Sequence, residues 1–191
     1  MSLDENMKLG VDAAGYARLK VPKSHNYKFT SSAILLDKKP LKIHTVTGQS
    51  EIDQFVAMRQ SIDAKTKWEW LCKMSDAAIK NGMGNCGELA AVCVKYLKDK
   101  GGKNIDYVYV LDGTTMNEVV PHVIAVIGRK GTTEEDADIG FPDSWGSEAV
   151  VCDSWDRVVY PATQYDFYWT GLKKYSTSPG TLTCQLVFRA P

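Results

Sequence analysis

The sequence predicts an α+β domain in which helices come first and an antiparallel sheet follows. Three observations predict it. Between residues 50 and 99 apolar side chains recur at helical spacing. From residue 105 onward they fall instead in short β-branched and aromatic runs. The chain has 191 residues, 44% hydrophobic and 24% charged, which suits one domain preceded by an arm.

Residues 1–30 are polar and carry Gly10, Gly15 and Pro22. They read as an irregular N-terminal arm with at most one short strand, which leaves 31–191 as the single domain. Residues 32–46 hold two apolar runs around Asp37-Lys38-Lys39-Pro40, a hairpin-like turn in which Pro40 limits any central strand. A helix is expected to begin near Ser50-Glu51, with Ile52, Phe55, Val56 and Met58 on its apolar face.

A second helix fits 65–80 through Trp68, Leu71, Cys72, Ala78 and Ile79, with Met74 fitting less well. It ends at Asn81-Gly82. Gly84-Asn85-Cys86-Gly87 is a tight turn. A third helix follows over 86–99, with Cys86, Leu89, Ala90, Cys93, Tyr96 and Leu97 along one side, and stops at Gly101-Gly102. Strands are expected at 105–111, 119–128, 148–153, 157–160 and 182–188. A loop is expected over 130–147, carrying the acidic run 134–138.

Composition removes several function classes. Lys plus Arg equals Asp plus Glu at 23 each, so the chain lacks the basic surplus of a nucleic-acid binder. No apolar run is long enough for a membrane span, and the first twenty residues lack a basic start followed by an apolar stretch. The expected location is the cytoplasm, or outside the cell by a leaderless route. Five cysteines cannot all pair within one chain. Those at 72, 86, 93, 152 and 184 lack zinc-ligand spacing, so neither a metal nor any other cofactor is expected.

Three residues carry the chemistry. Cys86 stands in the first turn of a helix, whose positive end favours the thiolate, with glycines at 82, 84 and 87 leaving room for a substrate. Backbone N–H groups at that turn point to the same space and can meet an oxyanion. His122 lies in the apolar strand VVPHVIAVIG and can serve as general base; His25 and His44 sit in the polar N-terminal part. Asp153 ends the run Ala149-Val150-Val151-Cys152 and can orient the imidazole. Each has a plain structural alternative: a core cysteine, a satisfied core histidine and a turn-forming aspartate.

The pieces GNCGELAAVCVKYLKDKG, PHVIAVIGR and AVVCDSWDRVVYPA together resemble the papain-like and transglutaminase-like cysteine enzyme clan. In detail they look most like its bacterial effector-type proteases and deamidases, which act on host proteins. The resemblance covers about 82–162. It implies Cys86 as nucleophile, His122 as base and Asp153 as orienting residue, with the cysteine helix packed on an antiparallel sheet. It makes 31–191 the catalytic domain.

The chain departs from the clan's patterns at three places. Lys80 stands where papain has a glutamine, Asp153 where papain-type enzymes often have asparagine, and Ile124 where transglutaminase-type enzymes have an aromatic. A second oxyanion donor is therefore sought at Asn85, with Asn81 the weaker candidate; Asn85 equally suits a helix cap. Trp155 shields the carboxylate–imidazole pair or simply packs. Glu88 caps the helix or supports the site. Cys93 reads as core filling, and Cys152 should face away from Asp153. Tyr165, Phe167, Tyr168 and Trp169 form a substrate surface or, by default, packing.

The expected function is a cysteine hydrolase acting on amide bonds of a protein substrate, by deamidation or proteolysis through a thioester. Transglutamination, a peptidoglycan amidase or endopeptidase, and a non-catalytic binding module on the same fold are the alternatives.

Overall fold

The computed structural model describes residues 1–24, 44–45, 49–112, 122–169 and 182–191. Among the described residues the α-helices run in the order α1 (Leu3–Lys20), α2 (Gln49–Gln60), α3 (Lys67–Asn81), α4 (Cys86–Asp99) and α5 (Tyr165–Tyr168). The strands are β1 (Lys23–Ser24), β2 (His44–Thr45), β3 (Ile105–Asp112), β4 (His122–Ile127), β5 (Ala137–Asp138), β6 (Val150–Asp153), β7 (Val158–Pro161) and β8 (Leu182–Arg189). β1 and β2 pair in parallel. The other six form one antiparallel sheet in the order β5-β8-β3-β4-β6-β7. This is the α+β architecture the segregated periodicities predict.

The sheet is covered on both faces, and strand alternation sorts its side chains. Tyr107, Val123, Ala125, Ile127, Val150 and Cys152 pack beneath α1, α3 and α4. Val108, Val110, Ile124, Val126, Val151 and Leu186 face the opposite layer, closed by Trp145 and Trp169. All six residues of β4 are buried, as befits a strand roofed on both sides.

The N-terminal segment corrects the expectation of an irregular arm. It is an 18-residue helix with a capping box in which Ser2 and Glu5 satisfy each other's backbone. Its buried stripe is Gly10, Ala13, Ala14 and Ala17, residues too small to show an obvious apolar period. They let α1 lie close to the sheet. A Cβ on Gly10 would sit 2.7 Å from Cys152 Sγ.

The remaining helices follow the pattern closely. In α2, Phe55 and Met58 are buried, but Val56 is exposed, so the apolar face is narrower than expected. In α3, Leu71, Met74, Ser75 and Ala78 form the buried stripe, which makes Met74 a core residue. Gly82 ends α3 with φ 63°, a left-handed conformation that glycine adopts without strain. α4 spans 86–99 as read from its stripe.

Residues 130–147 are more ordered than the loop expected. They contain β5 and a 3-10 turn at Pro142–Trp145 that delivers Trp145 to the core, its indole N–H donating to Ile139 O. Within the acidic run, Glu135 and Asp136 both pair with Lys67 of α3. The expected hairpin at 32–43 and the strand residues 119–121 lie outside the described residues.

Near the start of β3, buried Asp106 accepts from both Arg129 and Arg189. Arg129 also donates to the carbonyls of Lys130 and Thr132. Among the described residues no helix is long and apolar enough to cross a membrane.

Candidate active site

Cys86 is the first residue of α4, and the local sequence explains why the helix starts there. Asn85 is the N-cap in extended conformation, and its backbone N–H donates to Glu88 Oε2 at 2.9 Å, the return half of a capping box. The first N–H groups of the helix, including that of Cys86, lack intrahelical acceptors by construction. Gly84 makes the approach possible, because a Cβ there would lie 2.6 Å from Glu88 Cβ.

Glu88 has a second partner. Arg59 of α2 grips it with two bonds, Nε to Oε1 at 2.6 Å and Nη2 to Oε2 at 2.9 Å. The Glu88 side chain is buried and Arg59 is half-exposed, so α2 is tied to the helix start beside the thiol. The pairing explains how a carboxylate is tolerated inside.

His122 opens β4 and Asp153 closes β6, and the antiparallel pairing of these strands brings the two ends together. His122 Nε2 and Asp153 Oδ2 are 2.5 Å apart. The other carboxylate oxygen, Oδ1, accepts the backbone N–H groups of Trp155 and Asp156 at 3.1 and 3.0 Å. The turn after β6 thereby fixes the carboxylate plane before the imidazole meets it.

The imidazolium form of His122 is favoured. Burial opposes the charge, but the Asp153 carboxylate outweighs it by attraction and hydrogen bonding. Cys86 adds a side-chain hydrogen bond and the charge of its ionised form, so the pKa of His122 lies well above its ordinary value. With Nε2 committed to Asp153, Nδ1 is the nitrogen left to bond Cys86.

The sequence's candidates are thus brought together: Cys86 and Asp153 both bear on His122, Trp155 lies against the imidazole, and Asn85 stands beside Cys86. The Trp155 ring lies 5.4 Å from the His122 ring at 55°. Its indole N–H donates to Ser24 Oγ at 3.2 Å, and Ser24 Oγ donates to Asn85 Oδ1 at 3.1 Å. Asn81 is exposed and donates to Ala77 O at the end of α3. His25 lies outside the described residues, as does the side chain of His44.

Two concavities flank the site. Cys86 lines a cleft of about 370 Å³ together with Asn85, Gly87, Glu88 and Arg59. Its other walls are Ile62, Trp70, Met74, Tyr107, Tyr109 and Val123. Tyr107 donates to Gly87 O at 3.2 Å and holds the floor against the helix start. Behind the imidazole, His122, Asp153, Trp155 and Trp169 border a gap of about 20 Å³, room for roughly one water. The aromatic segment belongs mainly to packing. Tyr168 stacks on Tyr160 at 4.1 Å and Trp169 donates to Tyr160 Oη, while Phe167 is exposed.

All five cysteines are free thiols. Burial raises the pKa of Cys72, Cys93, Cys152 and Cys184, that of Cys93 to about 12. Cys93 is hydrogen-bonded to Ser154, and Cys152 faces α1, the side of the sheet opposite to Val151. Among the described residues no His, Cys, Asp or Glu group is arranged to hold a metal ion.

Sequence reading missed Ser24 and Arg59. Both are common residue types whose partners lie 61 and 29 positions away, so spacing carried no signal. Comparison with known proteins found no matching family model, curated protein or solved structure.

Proposed function

We propose that the chain is a cysteine-dependent hydrolase of papain-like or transglutaminase-like type that attacks an amide of a protein substrate. One observation carries the reading: a thiol at a helix start bears on an imidazole whose other nitrogen is held by a buried, pre-oriented carboxylate.

In this reading Cys86 gives its proton to His122 Nδ1, and Sγ attacks the carbonyl carbon. The C–O π pair moves onto oxygen, facing the first N–H groups of α4. As the tetrahedral intermediate collapses, the C–N bond breaks and the imidazolium protonates the departing amine or ammonia. Water then adds to the thioester with His122 as base, and the acid leaves. The favoured imidazolium supports its part as proton donor. Asp153 keeps Nδ1 aimed at sulfur, and Trp155 covers the pair.

The test is intact-mass analysis of candidate substrate proteins after incubation with the chain. A gain of about 1 Da marks deamidation, fragments mark proteolysis, and added amine mass marks transfer. Cys86→Ala should fold and give none of these; product formation by that variant defeats the proposal.

A further inference from the structure

The hydrogen-bond chain Trp155–Ser24–Asn85 has a fixed direction. An indole N–H only donates, so Ser24 Oγ accepts from Trp155, and the Ser24 hydroxyl in turn donates to Asn85 Oδ1 at 3.1 Å. The atom of Asn85 facing Ser24 is the carbonyl oxygen. The amide's Nδ2, with its two N–H hydrogens, occupies the opposite edge. Asn85 immediately precedes Cys86 and lines the same cleft. Ser24 itself is wholly buried, on β1, and Asn85 is nearly so.

We propose that Asn85 supplies the side-chain donor of an oxyanion hole, and that Ser24 is the positioning residue that holds the carboxamide in the donating orientation. The proposal rests on the reading of Cys86 as nucleophile. When sulfur adds to a carbonyl, the new S–C bond displaces the π pair onto oxygen. One Asn85 N–H meets that charge beside the Cys86 backbone N–H, while the second hydrogen keeps any other contact. Trp155 belongs to the same unit. It touches the imidazole with its ring, and its indole N–H sets Ser24, so the base and the oxyanion donor are registered to one another.

Two reagents separate this role from general support of the thiol. Acylation of Cys86 by 4-nitrophenyl acetate passes through an oxyanion and releases 4-nitrophenolate. Alkylation by iodoacetamide displaces iodide and forms none. Asn85→Ala should slow acylation about 10²-fold, the scale for a lost oxyanion donor. Ser24→Ala should slow it about tenfold, the scale of one misplaced hydrogen bond. The double variant should be no slower than Asn85→Ala, since Ser24 acts through Asn85. Alkylation rates should stay within about threefold in all of them, and Ser24→Thr, which keeps a hydroxyl, should recover part of the acylation rate.

Acylation of Ser24→Ala at the wild-type rate overturns the proposal. So do losses that multiply in the double variant, or acylation and alkylation that fall together. If Ser24→Ala does not fold, Trp155→Phe makes the test, because it removes the N–H that orients Ser24 while keeping an aromatic ring beside His122; acylation that does not fall relative to alkylation there counts against the proposal. Wild-type chain that alkylates but never acylates at Cys86 removes the hydrolase reading itself, and the role of Ser24 with it.

Discussion

His122 Nε2 meets Asp153 Oδ2 at 2.5 Å, with both side chains over nine-tenths buried. Neither charge has much water to lean on, so each is stable largely because of the other. The pair should therefore leave a signature in stability as well as in rate.

That signature has a definite sign. The folded-state pKa of His122 is raised from 6.5, so its contribution to stability is full below the unfolded value. It is lost as pH rises through the folded value. In Asp153→Asn the carboxylate's support is gone and burial, the largest single cause, is opposed only by Cys86, so the pKa falls from its wild-type value. Urea unfolding of wild type and variant between about pH 5.5 and 10 should show a gap that narrows toward alkaline pH, each pKa unit of difference being worth about 1.4 kcal/mol. A gap that widens with pH contradicts the assignment.

Thiol labelling should single out one residue. Burial holds Cys72, Cys93, Cys152 and Cys184 in the protonated form across the neutral range. Cys86 opens onto the cleft beside His122. Brief iodoacetamide treatment of the native chain at neutral pH should add one carbamidomethyl group, mapped to Cys86 and absent from Cys86→Ala.

Two glycines of α1 should respond to alanine with opposite signs. Gly15 has open space at its Cβ position, so Gly15→Ala should stabilise by about 0.5–1 kcal/mol through helix propensity. At Gly10 the new Cβ meets Cys152 Sγ at 2.7 Å and Val159 at 3.1 Å. Overpacking there costs about 1–3 kcal/mol and exceeds the propensity gain. Thermal unfolding of the two variants decides the matter.

Asp106→Asn should be among the most damaging single changes. It leaves the Arg129 and Arg189 guanidinium groups facing a neutral amide in a buried site. Removing one partner of such a network costs about 3–5 kcal/mol. Denaturant midpoints should fall accordingly, while Cys86 alkylation in the folded protein stays unchanged.

How much was readable follows from which residues make each contact. α4 was legible because nearly all of its inner residues are apolar and its start and stop carry glycine and asparagine signals. α1 was not, because its packing face is glycine and alanine, whose hydropathy barely departs from the polar residues around them. Cys86, His122 and Asp153 stood out as rare or well-placed types on suitable elements. Ser24 did not, since a buried serine looks like any other until the chain folds Trp155 and Asn85 against it. The 130–147 segment was misread as loop because its order comes from Trp145 reaching the core rather than from any repeat.

The position of α1 also bears on the order in which the molecule can be assembled. Asn6 donates to the carbonyl of Glu148 and Arg18 to that of Trp155, contacts spanning 142 and 137 positions. Helix α1 must therefore wait until residues 148–155 have been made before these partners exist. Until then, among the described elements, α1 has only α4 to dock on, and β6 and β7 lack their cover. Contacts of such long range slow folding and concentrate the risk of aggregation in that interval. Because Arg18 clasps the turn that carries Trp155, docking of α1 also completes the surroundings of Asp153.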